Sequence, residues 1–134
     1  AIVLNGFNTE DGVVDAPIGR NPSDRKKMAI DKKNGKRAVT HYKVLEQFGK
    51  YSYIECQLET GRTHQIRVHM SSIGHPLLGD DVYGSGKSPF NLTGQTLHAG
   101  VLGFIHPSTK EYVEYSAPLP EYFQKVLDKL RGNC

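Results

Sequence analysis

Cysteine is scarce in this 134-residue chain, which contains only Cys56 and Cys134. One falls within a predicted strand and the other is the last residue, so they do not form the framework of a disulfide-stabilised domain. This usage suits a reducing, cytosolic setting, and we expect a cytoplasmic protein. Cys56 alternates towards the inside of its strand, which favours a core thiol over a catalytic nucleophile.

Long apolar runs are also missing. No stretch of about eighteen apolar residues occurs, so no transmembrane helix is expected. The first residues, AIVLNGFNTEDG, have neither a basic start nor a cleavage-site pattern and are not a signal peptide. They begin inside a predicted strand and without methionine, which favours a processed product or a fragment.

The spacings typical of metal and nucleotide sites are absent from the sequence. No two of its histidines lie four residues apart on a predicted helix, and there is no Cys-x-x-Cys. A Walker A sequence, a dinucleotide-binding glycine fingerprint and a Gly-x-Ser-x-Gly are missing too. We therefore expect no metal site.

Charge is mild overall but unevenly placed. Seventeen basic and fourteen acidic residues give a net charge of +3, which permits a polyanionic partner without requiring one. Seven lysines and arginines lie between Arg25 and Arg37. Such a run is either a solvated hairpin tip or an arm that follows a phosphate backbone.

The apolar pattern predicts runs of strands. AIVLNGF and GVVDAPIGR are strand candidates, and Pro17 and Gly19 are expected to stop the second. In SYIECQL, Ile54, Cys56 and Leu58 alternate inward. TLHAGVLGFIHP and EYVEYSAP predict an antiparallel pair. With few, separate helices, this pattern indicates one α+β domain with a mostly antiparallel sheet.

A hairpin is predicted within the basic segment. In KKMAIDKKNGKRAVTHYKVLEQF, the dipeptide Asn34-Gly35 is the pair preferred in a type I′ turn. Its flanks, KKMAI and RAVTHYKVLEQF, are then the two arms.

Two helices are predicted. From Thr63 to Gly74, Ile66, Met70 and Ile73 form one apolar stripe, with Thr63 as N-cap and Gly74 just past the end. Near the C-terminus, LPEYFQKVLDKLRG is amphipathic. Its expected features are Pro120 as the first helical residue, a stripe of Phe123, Val126, Leu127 and Leu130, and an end at Gly132.

The stretch LETGRTHQIRVHMSSIGHPLLGD concentrates hydrogen-bond donors. Arg62, His64 and Arg67 fall beside a helix start whose N–H groups lack partners, and Gly61 lets the backbone bend there. Such a cluster can bind a phosphate, or a carboxylate from elsewhere through a bidentate arginine. It is equally compatible with a solvated basic face, or with Arg67 paired to Asp80 or Asp81.

Three other side chains, Tyr83, His98 and His106, have structural interpretations, and Tyr83 also has a functional one. Tyr83, in GDDVYG, is a packed aromatic or a platform on which a base stacks. His98 and His106 lie in an apolar run, where a buried and simply hydrogen-bonded histidine is the default interpretation.

The sequence LETGRTHQIRVHMSSIGHPLLGDDVYG, followed by GQTLHAGVLGFIHPSTKEYVEYSAPLP, resembles the C-terminal half of the RluA/RluD-type pseudouridine synthases. GVVDAPIGRNPSDRKKMAIDKKNGKRAVTHYKVLEQF is similar to the same family, so the resemblance covers nearly the whole chain. It implies that residues 1–134 are the C-terminal portion of a catalytic domain with a mixed, mostly antiparallel sheet and flanking helices. Such a portion would expose a sheet edge, through which it could dimerise.

The resemblance also implies an activity. The family isomerises uridine to pseudouridine in structured ribosomal or transfer RNA, without a metal or cofactor, after the nucleotide has been flipped from its stack. A catalytic aspartate performs the reaction, and the matching position implies that Arg67 pairs with it. We expect contacts to RNA from the arginine-rich stretch and the basic segment, namely Arg62, Thr63, His64, Gln65, Lys33, Lys36 and Arg37.

The departures from the family pattern concern catalysis. The aspartate motif, which resembles H-R-L-D-x-x-T-S-G, does not occur, and Ala1 matches the last position of a Y-x-A sequence whose tyrosine is missing. Asp15, Asp80 and Asp81 do not lie in such a motif. Thr96 ends GQT, where relatives often have arginine ahead of LHA. We therefore expect this chain alone to be inactive. The alternatives are a non-catalytic RNA-binding remnant and an enzyme that handles a phosphorylated ligand at the helix start.

Overall fold

The computed structural model of the chain describes residues 1–24, 26–84, 95–105 and 108–132. Arg25 of the basic segment, His106 and Cys134 lie outside the described residues. The chain forms two compact units, Ala1–Thr96 and Leu97–Cys134, which are described separately.

The first unit contains six strands and one helix. They are β1 (Ile2–Leu4), β2 (Asp11–Asp15), β3 (Ile18–Arg20), β4 (Met28–Ile30), β5 (Val39–Gln47), β6 (Tyr51–Leu58) and α1 (Gln65–Ser72). The second unit contains β7 (Val101–Ile105), β8 (Tyr112–Ser116) and α2 (Glu121–Leu130).

A four-stranded antiparallel sheet is the frame of the first unit, with the order β1-β6-β5-β2. β5 and β6 are joined by a tight turn in which Gly49 has a φ of 79°, a conformation that favours glycine. Ile54 of β6 is 1% exposed, as the alternation predicts, whereas Leu58 at the end of the strand is 43% exposed and does not point into the core. The prediction of an α+β fold with an antiparallel sheet is confirmed.

The outer side of β1 is covered by the chain that follows α1. Leu4 N–H donates to the Pro76 carbonyl at 2.9 Å, and Leu78 N–H donates to the Ile2 carbonyl at 2.9 Å. Leu77 and Leu78 are each 1% exposed. This segment therefore joins the core before it reaches Asp80.

The segment GVVDAPIGR is two strands rather than one. Pro17 interrupts the pairing of β2 with β5, but the chain resumes as β3, which pairs with β4. Gly19, expected to stop the strand, lies inside β3. A Cβ there would come within 3.2 Å of the Asp31 carboxylate, so glycine serves close packing at this position.

The hairpin predicted at Asn34-Gly35 is not formed. β4 pairs with β3, and β5 pairs with β2 and β6. Asp31 is the local reason. Its carboxylate accepts the N–H groups of Lys33 and Asn34 at 3.1 and 2.9 Å, and its carbonyl accepts that of Gly35 at 3.0 Å. An aspartate that bonds the following backbone competes with a hairpin ladder.

Helix α1 confirms the predicted helix, but its N-cap and first helical residue lie one position later. Thr63 is exposed and is not the N-cap; that position is His64, whose φ of 54° is left-handed. At the other end, Gly74 has a φ of 86° and donates to Ser71, while His75 N–H donates to the Met70 carbonyl at 2.8 Å. This pair of bonds is a Schellman motif, and it confirms Gly74 as the residue past the helix end.

The buried face of α1 differs from the predicted stripe. Gln65, Val68, His69 and Met70 are buried, whereas Ile73 is 39% exposed. Polar His69 lies inside because both ring nitrogens have partners: Nδ1 lies 2.8 Å from the Thr40 hydroxyl, and Nε2 lies 2.9 Å from the Ala16 carbonyl. A stripe defined by apolar residues alone could not include the polar side chains of Gln65 and His69.

The second unit follows its predicted pattern. β7 and β8 are antiparallel, and α2 buries Phe123, Val126 and Leu127. Pro120 is the N-cap of α2 rather than its first helical residue, Leu130 is only half-buried, and Gly132 ends the helix with a φ of 85°. No helix within the described residues is both long and apolar enough to cross a membrane.

Candidate active site

Gln65 fixes the loop between β6 and α1. Its amide nitrogen donates to the Val39 carbonyl at 3.0 Å and to the Thr40 hydroxyl at 2.9 Å. Its amide oxygen accepts from the Thr60 hydroxyl at 2.8 Å and the Arg62 N–H at 2.9 Å. The side chain is 3% exposed, and these four bonds use its full capacity. Gln65 therefore shapes the loop, and its contact with RNA stays a prediction.

His64 is held in a strained conformation at the start of α1. A left-handed backbone costs a residue with a side chain about 1–2 kcal/mol. Its Nδ1 lies 2.8 Å from the Tyr83 hydroxyl, which also accepts the Met28 N–H at 2.9 Å. Burial, and next the neighbouring Arg67 charge, lowers the pKa of His64. His64 is consequently neutral at physiological pH.

Arg67 forms a bidentate ion pair with Asp80. Its Nε donates to Oδ2 at 2.8 Å and one Nη donates to Oδ1 at 3.0 Å. The guanidinium also lies over the Tyr83 ring, 5.1 Å from the centroid. Of the two carboxylates considered from the sequence, Asp80 is the partner, and Asp81 is exposed.

Asp80 is itself fixed in place. Its side chain is fully buried, and Oδ1 accepts the N–H groups of Val82 and Tyr83 at 3.0 and 3.1 Å. Burial raises the pKa of Asp80, but the hydrogen bonds from Arg67 and from the two N–H groups outweigh it, so the pKa lies below its usual value. The hydrogen bonds that Arg67 donates to Asp80 raise the pKa of Arg67. Both groups are ionised.

Arg67 keeps unused donors. A guanidinium has five N–H groups, and Asp80 takes two of them. Within the described parts of the chain, Asp80 is the acceptor for every hydrogen bond recorded for Arg67. The side chain is 11% exposed, so the remaining Nη groups are available for a second acceptor.

Tyr83 is a packed aromatic rather than a free platform. Its hydroxyl bonds His64 and Met28, and its ring lies under Arg67. The ring also packs against the buried cluster of Ile18, Ala38 and Val68. Stacking of a base on Tyr83 would require these contacts to be broken.

A basic surface adjoins the loop before α1; it consists of Lys33, Lys36, Arg37 and Arg62. Arg62 Nε donates to the Arg37 carbonyl at 2.8 Å, which brings the two basic segments together. Arg37 is 63% exposed and pairs with Glu59 at 3.3 Å. The hydrogen bond from His41, and next that from Arg37, lowers the pKa of Glu59, so this acid stays ionised and offsets part of the positive charge.

The remaining candidate residues have structural positions. Burial raises the pKa of Cys56 to about 11, so the thiol is protonated at neutral pH and is a poor nucleophile. His98 Nε2 lies 3.3 Å from the Ala117 carbonyl. The described residues include no group of three histidines, cysteines or acids arranged to hold a metal ion.

Comparison with known proteins identifies the family. A family model described as RNA pseudouridylate synthase matches residues 1–72, more than half of the chain. The chain belongs to the RNA pseudouridylate synthase family. Its relatives named as ribosomal large subunit pseudouridine synthases place it in the RluA/RluD type.

Relatives and solved structures agree with this assignment. The chain is 55% identical to an uncharacterized RNA pseudouridine synthase of Bacillus subtilis, over 99% of the chain and 43% of that protein. It is 49% identical to the ribosomal large subunit pseudouridine synthase D of Neisseria meningitidis, over 96% of the chain and 37% of that protein. Human RNA pseudouridylate synthase domain containing 1 superposes with a TM-score of 0.75 at 29% identity, covering 98% of the chain and 63% of the human one.

The chain spans about two fifths of the length of these curated relatives. Residues outside the 134 therefore make up most of each relative. The activity, substrate and partners of a whole synthase do not follow from this chain alone.

Proposed function

We propose that this chain supplies the arginine side of an active site that isomerises uridine to pseudouridine in structured ribosomal or transfer RNA. In this proposal residues 1–134 are the C-terminal portion of the catalytic domain, and the catalytic aspartate lies outside them. The observation that carries the proposal is the guanidinium of Arg67, which Asp80 binds on one edge and to which residues 1–24, 26–84, 95–105 and 108–132 supply no second acceptor. Family membership supports the reaction class.

The proposed reaction requires an oriented carboxylate. The N1–C1′ glycosidic bond breaks, a C5–C1′ bond forms, and the C5 hydrogen leaves as a proton while N1 gains one. A guanidinium beside the catalytic carboxylate keeps it ionised and fixes its direction. The free Nη groups of Arg67 are suited to this role, because two parallel N–H donors match the two oxygens of a carboxylate.

The first test compares this chain with the full-length gene product. RNA labelled with tritium at C5 of uridine releases the label into water when pseudouridine forms. We expect release with the full-length protein and none above background with residues 1–134, because the aspartate motif is missing from this sequence.

Each outcome of that comparison has a distinct meaning. Activity in residues 1–134 alone would show that the catalytic group is within this chain. Inactivity of the full-length protein on ribosomal and transfer RNA would favour the alternative, an RNA-binding remnant without catalysis.

We further propose that the basic surface contacts the RNA backbone. Seven cations and one acid give residues 25–37 a formal charge of +6, so the rest of the chain, whose total is +3, carries −3. Lys33 and Lys36 are exposed, and Arg62 joins this segment to the loop that leads to Arg67. RNA that follows this surface is therefore led towards the proposed catalytic arginine.

Replacing Lys33 and Lys36 with glutamine is expected to weaken binding to all RNA sequences alike. Each lost phosphate contact lowers the slope of log K against log salt concentration by about 0.7–1. Filter binding of the full-length protein across a salt series measures this slope. The charge-matched control is Lys43→Gln with Lys50→Gln, on exposed residues of β5 and of the turn that follows it, outside the basic surface. An equal effect in the control would show general electrostatic attraction rather than a defined surface.

The edge of the four-stranded sheet belongs to the same proposal. Within the described residues β2 is the terminal strand, and its Val13 is 55% exposed. We propose that a further strand covers this edge in the full-length protein, and that a second copy covers it when the chain is isolated.

A further inference from the structure

Glu59 bridges two hydrogen-bond donors at the border of the basic surface. Its Oε1 accepts from an Nη of Arg37 at 3.3 Å, and its Oε2 lies 2.5 Å from Nε2 of His41. The hydrogen bond from His41, and next that from Arg37, lowers the pKa of Glu59, so the carboxylate is ionised at neutral pH and can only accept. Nε2 of His41 therefore carries the hydrogen of this bond, and both partners of Glu59 are donors.

The pairing of β5 with β6 explains how two donors reach one carboxylate. Glu59 directly follows β6, and its N–H donates to the Val39 carbonyl at 3.2 Å, which places Glu59 opposite Val39. Arg37 lies two residues before Val39 and His41 two residues after it, and residues two apart in an extended chain share a face. Diagonal neighbours across a strand pair are about 7–8 Å apart, which long side chains can span. Arg37 and His41 thus converge on the position that the Glu59 carboxylate occupies.

The bridge is open to solvent and contributes little to the stability of the fold. The side chains of Arg37, His41 and Glu59 are all close to half-exposed or more. An exposed ion pair gains little net free energy, because water screens the charges and ordering long side chains costs entropy. Another anion can therefore displace the Glu59 carboxylate from Arg37 and His41 without unfolding the chain.

The two donors and their surroundings indicate which anion fits. Arg37 and His41 each bind one oxygen of a single anionic group, and a phosphodiester offers two unesterified oxygens that share one negative charge. Arg62 adds a cation beside them, since its Nε donates to the Arg37 carbonyl at 2.8 Å. Exposed Lys33 and Lys36 lie in the same basic surface. A phosphate in the backbone of a nucleic acid therefore suits this position better than an isolated carboxylate does.

We propose that Arg37 and His41 form a binding site for a phosphodiester of the RNA backbone, which the Glu59 carboxylate occupies in the protein without RNA. This inference rests on the proposed function, in which the basic surface contacts RNA. It extends that surface to His41, which lies outside the basic segment and the arginine-rich stretch. When RNA binds, two phosphate oxygens replace the two oxygens of Glu59. Neutralising Glu59 is therefore expected to tighten RNA binding.

The experiment is filter binding of the full-length protein across a salt series, with two structured RNA transcripts of unrelated sequence. Glu59→Gln keeps the size of the side chain and removes its charge. We expect the slope of log K against log salt concentration to become steeper by about 0.7–1, the value of one phosphate contact. This slope makes the variant bind about 5- to 10-fold more tightly than wild type at about 0.1 M salt, and the difference vanishes near about 1 M.

Glu55→Gln is the matched control. Glu55 is an exposed acid of β6 opposite Lys43, so its neutralisation changes the net charge equally and also frees a cation. It lies four residues before Glu59, roughly 13 Å along the strand. The Debye length is about 10 Å at 0.1 M salt, so we expect the affinity to change by less than about twofold. Thermal melting verifies that each variant is folded in the assay.

A double-mutant cycle tests whether Glu59 acts through its two partners. Arg37→Ala with His41→Ala removes both donors on exposed side chains. In this background, adding Glu59→Gln is expected to change the affinity by less than about twofold, because the effects of coupled residues are not additive. A gain that persists without Arg37 and His41 would show that Glu59 acts only through net charge, and it would overturn the inference.

The other outcomes separate this inference from the proposed activity. Unchanged binding by Glu59→Gln, or an equal gain in Glu55→Gln, would overturn the inference. A gain confined to one of the two RNA sequences would also overturn it, because phosphate contacts carry no sequence information. If wild type shows the expected binding but releases no tritium, the proposed activity fails and the phosphate site stands. If wild type binds neither RNA, the basic surface and this site fail together.

Discussion

Replacing Arg67 with alanine in the full-length protein is expected to lower the rate of pseudouridine formation by about 10³-fold. Loss of one preorganised hydrogen-bond donor that stabilises charge lowers kcat by about 10²–10³-fold, and this change removes two such donors. RNA binding should weaken less than about tenfold, because the proposed partner of Arg67 is a carboxylate. Tritium release and filter binding on the same RNA measure the two effects. If binding falls as far as turnover, Arg67 contacts phosphate instead.

A second variant separates chemistry from folding. Arg67→Ala leaves Asp80 buried without its counter-ion, and breaking a buried pair in this way costs about 3–5 kcal/mol. The double change Arg67→Met and Asp80→Asn removes both charges and should recover much of that stability. It should remain as inactive as Arg67→Ala. Recovery of turnover in the double variant would mean that the single change acts only by unfolding the site.

The two interpretations of Arg67 drawn from the sequence are compatible. The spacing left open a structural pair with Asp80 or Asp81, and the family resemblance implied a catalytic partner. The structure shows the pair with Asp80, and the part of the chain that it describes supplies no acceptor to the second edge of the guanidinium. The pairing with a catalytic aspartate remains a prediction.

The sequence predicted helix ends correctly where the spacing of apolar residues and a following glycine indicated the same end. Gly74 and Gly132 end their helices with the expected positive φ, and Phe123, Val126 and Leu127 are buried. The prediction failed where a polar side chain competed with the backbone pattern. Asn34-Gly35 favours a hairpin turn by composition, but Asp31 binds the next backbone N–H groups and forms a different turn.

The candidate site shows the same limit. Gln65 was expected to contact RNA, and its partners on β5 lie 25 and 26 residues earlier in the sequence, where local pattern cannot indicate them. The pairing of Arg67 with Asp80 also depends on tertiary structure, so the sequence could offer it only as one alternative.

Replacing Gln65 with leucine is expected to lower the free energy of unfolding by about 3–5 kcal/mol. Leucine fills a similar volume but leaves the Thr60 hydroxyl and the Arg62 N–H without the amide oxygen that accepts from both, and each costs about 1–3 kcal/mol when unsatisfied. Urea denaturation of the full-length protein measures the loss. The matched control is Thr63→Ala, two residues away and exposed, which should change stability by less than about 0.5 kcal/mol.

Gln65→Glu tests which contribute more to stability, the hydrogen bonds that the Gln65 amide nitrogen donates or those that its oxygen accepts. Glutamate keeps the oxygen that accepts from Thr60 and Arg62, but it places a second oxygen against the Val39 carbonyl. At neutral pH this brings an ionised carboxylate into a site that is 3% exposed, and the loss of stability should equal or exceed that of leucine. If both variants stay within about 1 kcal/mol of wild type, the loop is held by other contacts. The position of Arg62 beside Arg37 would then not depend on Gln65.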